Sequence, residues 1–177
     1  MRARVTSLVA LAGVMALTML TGCGYHALGS ATHLPQGART LAVPLFATKT
    51  NSYHTETVMT QAVLREFATR TRLKVTPDAT VDPDVTLHGT ILQEAVTPLT
   101  YNTSTQQSSS YLVTVVIAVE LTGRDGKVLY ENKNYVFRQQ YQSTTSLPVY
   151  FDESPAAVER LSRDFARALV ADVLEGL

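Results

Sequence analysis

Several residue types that mark common functional classes are scarce in this sequence of 177 residues. There is one cysteine, Cys23, so the chain can form neither an internal disulfide bond nor a cysteine-rich zinc or iron–sulfur site. Fifteen lysines and arginines balance fifteen aspartates and glutamates, and this lack of a basic surplus argues against nucleic-acid binding. The 45% of apolar residues argues against a wholly disordered chain and favours one globular domain, with or without an appendage.

The sequence also lacks the motifs by which common enzymes are identified. It contains no G-x-S-x-G, H-E-x-x-H or P-loop motif, and no two of its four histidines have metal-ligand spacing. Asp152 and Glu153 stand side by side, but they directly precede a predicted helix, where acidic residues interact favourably with the helix dipole. We therefore predict a protein that is not an enzyme and that binds no cofactor, metal or nucleic acid.

The first 22 residues have the pattern of a secretion signal. Arg2 and Arg4 form a basic start, and the apolar run Val5–Leu20 is short for a membrane-spanning helix, which needs about 20 apolar residues. The run ends in Leu20-Thr21-Gly22-Cys23, which resembles the lipobox of bacterial lipoproteins. That resemblance implies cleavage after Gly22 and acylation of Cys23, with residues 1–22 as the signal peptide. An uncleaved membrane anchor with an incidental cysteine is the alternative interpretation.

The residue after Cys23 bears on the location of the mature protein. In lipoproteins of this kind an aspartate at that position often signals retention in the inner membrane, and the residue here is Gly24. The resemblance therefore implies a lipid-anchored protein on the periplasmic face of the outer membrane. Residues 23–37 are weakly patterned and rich in small side chains, so we predict a lipidated tether there and a domain over residues 38–177.

The periodicity of the apolar residues predicts an α+β domain. One apolar stripe indicates a helix over residues 55–71, and Ser154-Pro155 indicates the start of a second helix that continues to the C-terminus. Thr40–Phe46 and Leu73–Val75 are predicted strands, and three long strands follow, the last over Val128–Tyr141. We predict a single, mostly antiparallel four-stranded sheet, with or without one extra short strand, and two helices packed on one face.

The second face of this sheet is less polar than a solvated face requires. In the strand Val113–Leu121, the residues between the core positions include Val116 and Ala118. Either a partner covers that face or β-propensity alone explains the pattern. Six residues form the predicted partner surface, although each alone also fits core or edge packing: Tyr101, Tyr111, Val116, Tyr135, Phe137 and Tyr141.

The order and spacing of several short segments resemble those of the LptE family of lipopolysaccharide-assembly lipoproteins. In chain order the segments are Gly24-Tyr25-His26 directly after the lipobox, Leu41–Phe46, Thr48–Asn51, Ala62–Phe67, Arg72–Val75, Leu129–Asn132 and Asn134–Arg138. The resemblance covers nearly the whole mature chain and implies one sheet packed by two helices. It also implies a non-enzymatic role, in which the protein assists the assembly of the outer-membrane β-barrel LptD, plugs it, and takes part in delivering lipopolysaccharide to the outer leaflet.

Basic residues for lipid A phosphates are placed differently here than in some family members. Those members carry them between the second and third main strands and near the start of the last helix, whereas Thr100–Tyr111 and Gln142–Glu159 contain none. The predicted lipopolysaccharide-binding residues are the nearest cations: Lys133, Arg138, Arg124 and Lys127. An adaptor or regulatory lipoprotein for a peptidoglycan synthase or an envelope ABC system is the alternative function. The short tether, at most about 50 Å long when extended, favours a partner at the membrane itself.

Overall fold

Two α-helices, one 3₁₀ helix (Ala79–Val81) and seven strands lie in the residues that the computed structural model describes, which are 33–50, 54–102, 107–144, 151–152 and 154–175. The helices are α1 (Thr55–Arg70) and α2 (Ser154–Glu175). The strands are β1 (Thr40–Ala42), β2 (Ala47–Thr48), β3 (Lys74–Thr76), β4 (Val85–Asn102), β5 (Gln107–Gly123), β6 (Val128–Thr144) and β7 (Phe151–Asp152). No helix in these ranges is long and apolar enough to cross a membrane. The predicted signal peptide, Gly22, Cys23 and the first part of the tether lie outside the described residues.

The strands form a mixed sheet in the order β3-β1-β4-β5-β6-β7, and β2 pairs with β4 further along that strand. β1 runs parallel to β3 and β4, whereas the long strands β4, β5 and β6 pair antiparallel. The predicted α+β class with two helices is confirmed, but the sheet is larger and less antiparallel than the four strands predicted. The β1–β3 pair is parallel because α1 forms the crossover that carries the chain from β1 to β3.

The predicted strand Thr40–Phe46 is interrupted in the structure. β1 ends at Ala42, and Pro44 lies in the irregular segment that leads to β2. A proline has no N–H to donate to a strand ladder, so the break before it agrees with the chemistry of the residue. The chain resumes pairing at Ala47, where β2 joins the same neighbour strand, β4.

The core lies between one face of the sheet and the two helices. The alternate residues of β5 are fully or nearly fully buried: Val113, Val115, Ile117, Val119 and Leu121. In register beside them on β4, Leu87 pairs with Leu121 and Ile91 with Ile117. These residues form one apolar cluster with the buried residues of both helices, so α1 and α2 pack on the same face of the sheet.

Phe46 connects three parts of this core. Its side chain is 2% exposed, and its ring lies so close to Gly89 of β4 that a Cβ atom there would stand about 2.5 Å from two ring carbons. The ring meets Phe165 of α2 edge-on, with the centroids 6.2 Å apart. The backbone N–H of Phe46 donates to Thr60 Oγ1 of α1 at 3.0 Å. Phe46 therefore joins β4 to both helices, and this arrangement needs a glycine at position 89.

Candidate functional site

The sheet face opposite the helices is not covered by any helix in the described part of the chain. At its centre, Val116 of β5 lies between Gln93 of β4 and Val136 of β6, and Ala118 lies beside Thr90 of β4. Apart from the exposed Gln93, these side chains are half-buried. We call this surface the open face and define it by Thr90, Gln93, Thr114, Val116, Ala118 and Val136. It is weakly polar and has no charged residue at its centre.

Charged residues surround the centre of the open face. Arg138 of β6 lies on it opposite Thr114, and the exposed Arg138 side chain has no ion pair in the described part of the chain. Toward the hairpin between β5 and β6, Glu120 stands opposite Glu131, and Lys133 contacts the Glu131 carboxylate at 3.2 Å. Like charges opposite each other in a sheet are unfavourable, and the Lys133 ammonium partly compensates this pair.

Tyr135 and Phe137, predicted as partner residues, lie on the helix side of β6. Each ring packs against Phe165 of α2, with 5.6 Å between the centroids. The Tyr135 hydroxyl donates to Asp172 Oδ2 and contacts the Tyr130 hydroxyl at 2.5 Å. Burial is the main cause that raises the pKa of Tyr135 far above its usual value, and these hydrogen bonds raise the pKa further. Both aromatic residues fill space between β6 and α2 in this structure, and their contact with a partner stays a prediction.

The other predicted partner residues lie in two places. Tyr111 and Tyr141 stand opposite each other on β5 and β6, and their rings stack with the centroids 5.4 Å apart. They share the helix side with Val113, whereas Val116 lies on the open face. Tyr101 belongs to β4, and its side chain lies outside the described residues. The structure therefore does not bring the six predicted residues together on one surface.

Arg124, predicted to bind lipopolysaccharide, is already engaged in an ion-pair network. Its guanidinium contacts Asp82 at 3.4 Å and Asp84 Oδ1 at 3.1 Å. Asp84 Oδ2 accepts hydrogen bonds from the N–H groups of Arg39 and Thr40, at 2.8 and 3.0 Å, and from the Thr40 hydroxyl at 2.9 Å. These hydrogen bonds, and to a lesser degree the Arg124 charge, lower the pKa of the Asp84 carboxyl. The network joins β1, β4 and the hairpin between β5 and β6.

The remaining predicted cations are spread along the molecule. Lys127 is exposed at the same hairpin as Arg124, and Lys133 is paired with Glu131. Arg138 lies five residues beyond Lys133, which at the usual rise of a strand is about 17 Å. The four cations therefore do not form one anion-binding cluster. Arg138 is the member of the set that stands on the open face without a carboxylate partner among the described residues.

The open-face residues that β4 and β6 contribute do not follow from the pattern of the sequence. If the alternation of buried residues from Val85 to Ile91 continued along β4, Gln93 would face the core. An irregularity between Ile91 and Gln93 instead places Gln93 opposite Val116. A second irregularity in the pairing of β5 with β6 precedes Val136. A bulge inserts one unpaired residue and so reverses the faces of all that follow, and a period-two pattern carries no signal for it.

Comparison with known proteins gives one family. The model of the lipopolysaccharide-assembly family LptE matches residues 38–173, and no curated protein sequence matches the chain. The fold is similar to that of an uncharacterized lipoprotein B from Nitrosomonas europaea, with 12% identity over 84% of this chain and 88% of that chain and a TM-score of 0.55. A lipoprotein from Caulobacter crescentus is similar with 10% identity over 74% of this chain and 88% of that chain and a TM-score of 0.50. At these identities the two structures show a shared fold alone.

Proposed function

We propose, from the premise that this chain belongs to the LptE family of lipopolysaccharide-assembly lipoproteins, that it assists the assembly of an LptD-type β-barrel and plugs its lumen. The family match confirms the resemblance expected from the sequence. The family's role is non-enzymatic, and it concerns lipopolysaccharide assembly. We further propose that residues 1–22 are removed as a signal peptide, and that lipid on Cys23 anchors the protein to the periplasmic face of the outer membrane.

The observation that supports the plug role is the composition of the open face. A sheet face that remains in water normally carries polar side chains, whereas Val116, Ala118 and Val136 stand together at this centre. Protein interfaces are depleted of charged residues at their core and surrounded by a polar rim, which is the arrangement found here. The open face therefore fits a surface that contacts another protein, and we propose that it faces the inner wall of the barrel.

The length of the strands also supports this proposal. β4, β5 and β6 contain 18, 17 and 17 residues, whereas a typical strand has about 5 or 6. At about 3.3 Å per residue these strands extend for about 55 Å, which is longer than the apolar band of about 25 Å on a membrane barrel. A sheet of this length reaches through the membrane-embedded part of such a lumen.

For lipopolysaccharide we propose Arg138 as the first contact among the predicted cations. Its guanidinium lies on the open face, where an anionic lipid that passes between plug and wall would meet it. Arg124 is the weakest candidate because Asp82 and Asp84 already neutralise its charge. A phosphate would have to displace one of these carboxylates to bind there.

Affinity purification from outer membranes tests the barrel partnership. Val116→Asp places a charge at the centre of the open face, and Val128→Asp places the same charge at a 48% exposed position near the hairpin. We expect Val116→Asp to lose the co-purifying barrel and to lower surface lipopolysaccharide, while Val128→Asp behaves as the wild type. Urea unfolding of each purified variant checks that the loss is not a loss of fold.

Two outcomes contradict the proposal. One is equal recovery of the barrel with both variants, which would leave the open face without a role in the contact. The other is that the wild type recovers no large barrel and that surface lipopolysaccharide stays intact after depletion of the protein. Recovery of a peptidoglycan synthase or an ABC subunit in its place would support the adaptor function instead.

A further inference from the structure

A groove of about 420 Å³ lies where both helices begin. Thr55 and Ser154, the first residues of α1 and α2, line it together with His54, Glu94 and Glu159. The rest of the lining is apolar or aromatic: Val58, Val96, Val113, Tyr141, Pro155 and Val158. Among the described residues that line the groove there are two carboxylates and neither lysine nor arginine. Its volume is within the usual range of ligand sites, about 300–1,000 Å³.

Glu94 is the uncompensated charge of this groove. Its Oε2 atom is buried and has no hydrogen-bond partner, and its carboxylate forms no ion pair in the described part of the chain. Glu159, by contrast, pairs with Arg163 one turn along α2 at 3.8 Å. Removing a carboxylate oxygen from water without giving it a hydrogen-bond partner is unfavourable. A cation seated against the Glu94 carboxylate would remove that cost, whichever oxygen it contacts.

We propose that the groove receives an arginine side chain of the barrel partner, with its guanidinium against the Glu94 carboxylate. A guanidinium is weakly hydrated and presents a planar set of donors, so it suits a partly buried carboxylate better than an ammonium does. The methylene stem of an arginine covers apolar surface, which Val96, 53% exposed, provides here. The two carboxylates disfavour a phosphate or another anion in the same groove.

This inference rests on the proposed function for the source of the arginine. The binding of a guanidinium group in the groove does not depend on that function. The chain offers a matched control, because Glu56 Oε2 is also buried without a hydrogen-bond partner but Glu56 does not line the groove. Glu56→Gln and Glu94→Gln each replace a carboxylate that has one buried, unpartnered oxygen by a neutral amide of nearly the same size. If binding takes place in the groove, Glu94→Gln should weaken it and Glu56→Gln should not.

The first experiment uses the purified full-length protein in detergent micelles and needs no barrel. The protein is titrated with n-butylguanidinium, and with n-butylurea as a neutral probe of similar shape, while the methyl resonances of Val96 and Val113 are recorded by NMR. We expect saturable shifts with n-butylguanidinium that n-butylurea does not produce. Glu94→Gln should weaken this binding about tenfold or more, and Glu56→Gln should leave it unchanged. Equal binding of both probes, or unchanged binding to Glu94→Gln, overturns the proposal.

The second experiment tests whether the barrel supplies the side chain. The complex purified with each variant is diluted into detergent, and release of the barrel is followed over time. We expect release from Glu94→Gln to be about tenfold faster or more than from Glu56→Gln, while the urea midpoint of the isolated Glu94→Gln protein is not lowered. Equal release from the two variants overturns the assignment to a barrel arginine, even where n-butylguanidinium binds. If the wild type binds the probe but recovers no barrel, the proposed function fails and the groove chemistry does not.

Discussion

Replacing Gly89 by alanine should destabilise the protein, because the new methyl group would occupy space that the Phe46 ring fills. The Cβ atom would stand about 2.5 Å from two ring carbons, far inside van der Waals contact. The ring has little room to withdraw, since Phe46 is 2% exposed and packs edge-on against Phe165. Inserting a methyl group into a packed core costs about 1–3 kcal/mol in the free energy of unfolding.

Removing the ring should reverse the sign of this effect. In a Phe46→Ala background the methyl group at position 89 no longer meets the aromatic carbons that crowd it in the wild type. Alanine is then preferred over glycine inside a strand by about 0.5–1 kcal/mol, because glycine loses more conformational freedom on folding. Phe46→Ala alone should cost about 3–5 kcal/mol. The expected coupling energy between the two sites is therefore about 1.5–4 kcal/mol.

Urea unfolding of the four proteins, followed by circular dichroism, measures this coupling energy. Gly126→Ala is a matched control, since Gly126 has a φ of 78° and open space around its Cβ position. Alanine there is strained by the backbone alone, so its cost should be the same with and without the Phe46 ring. If Gly89→Ala costs as much in the Phe46→Ala background as in the wild type, the ring is not the reason for the glycine.

Three further predictions concern single groups. Asp84→Asn should lower the urea midpoint at neutral pH and reduce the loss of stability in acid. The reason is that the lowered pKa of Asp84 contributes stability that is present above pH 3.8, the ordinary pKa of the carboxyl, and is lost as the pH falls through the folded-state pKa. An unchanged acid profile would show that the network adds nothing. Tyr135→Phe should reduce the loss of stability above pH 10.0, because the unfolded tyrosine releases its proton there while the folded one retains it. Urea midpoints from pH 8 upward measure this effect, and identical slopes for the two proteins refute it. Cys23→Ala should leave the circular dichroism spectrum unchanged and move the protein from the membrane to the soluble fraction; acylation of this variant, detected by mass spectrometry, would refute the lipobox assignment.

The parts of the fold that the sequence predicted are those with a sustained period. The helix predicted over 55–71 is α1 (Thr55–Arg70), and α2 begins at Ser154, where Ser154-Pro155 indicated a helix start. Strand β5 shows five buried residues in strict alternation. The parallel strand β2 and the edge strand β7 contain two residues each, which is too short for any period. Contacts distant in the sequence decide such pairs, so local patterns could not reveal them.

The same limit explains why the groove, and the residues that β4 and β6 contribute to the open face, were not visible in the sequence. Strict alternation from Val85 would bring Gln93 to the core side and Glu94 to the opposite face. The irregularity at Leu92 reverses both, so that Gln93 stands opposite Val116 on the open face and Glu94 stands opposite Val115 on the helix side. The open face gains a neutral side chain where a carboxylate would otherwise stand, and the groove gains one of its two carboxylates. One unpaired residue in β4 therefore decides on which side Gln93 and Glu94 lie, and the proposed barrel contact and the proposed arginine site depend on the same register.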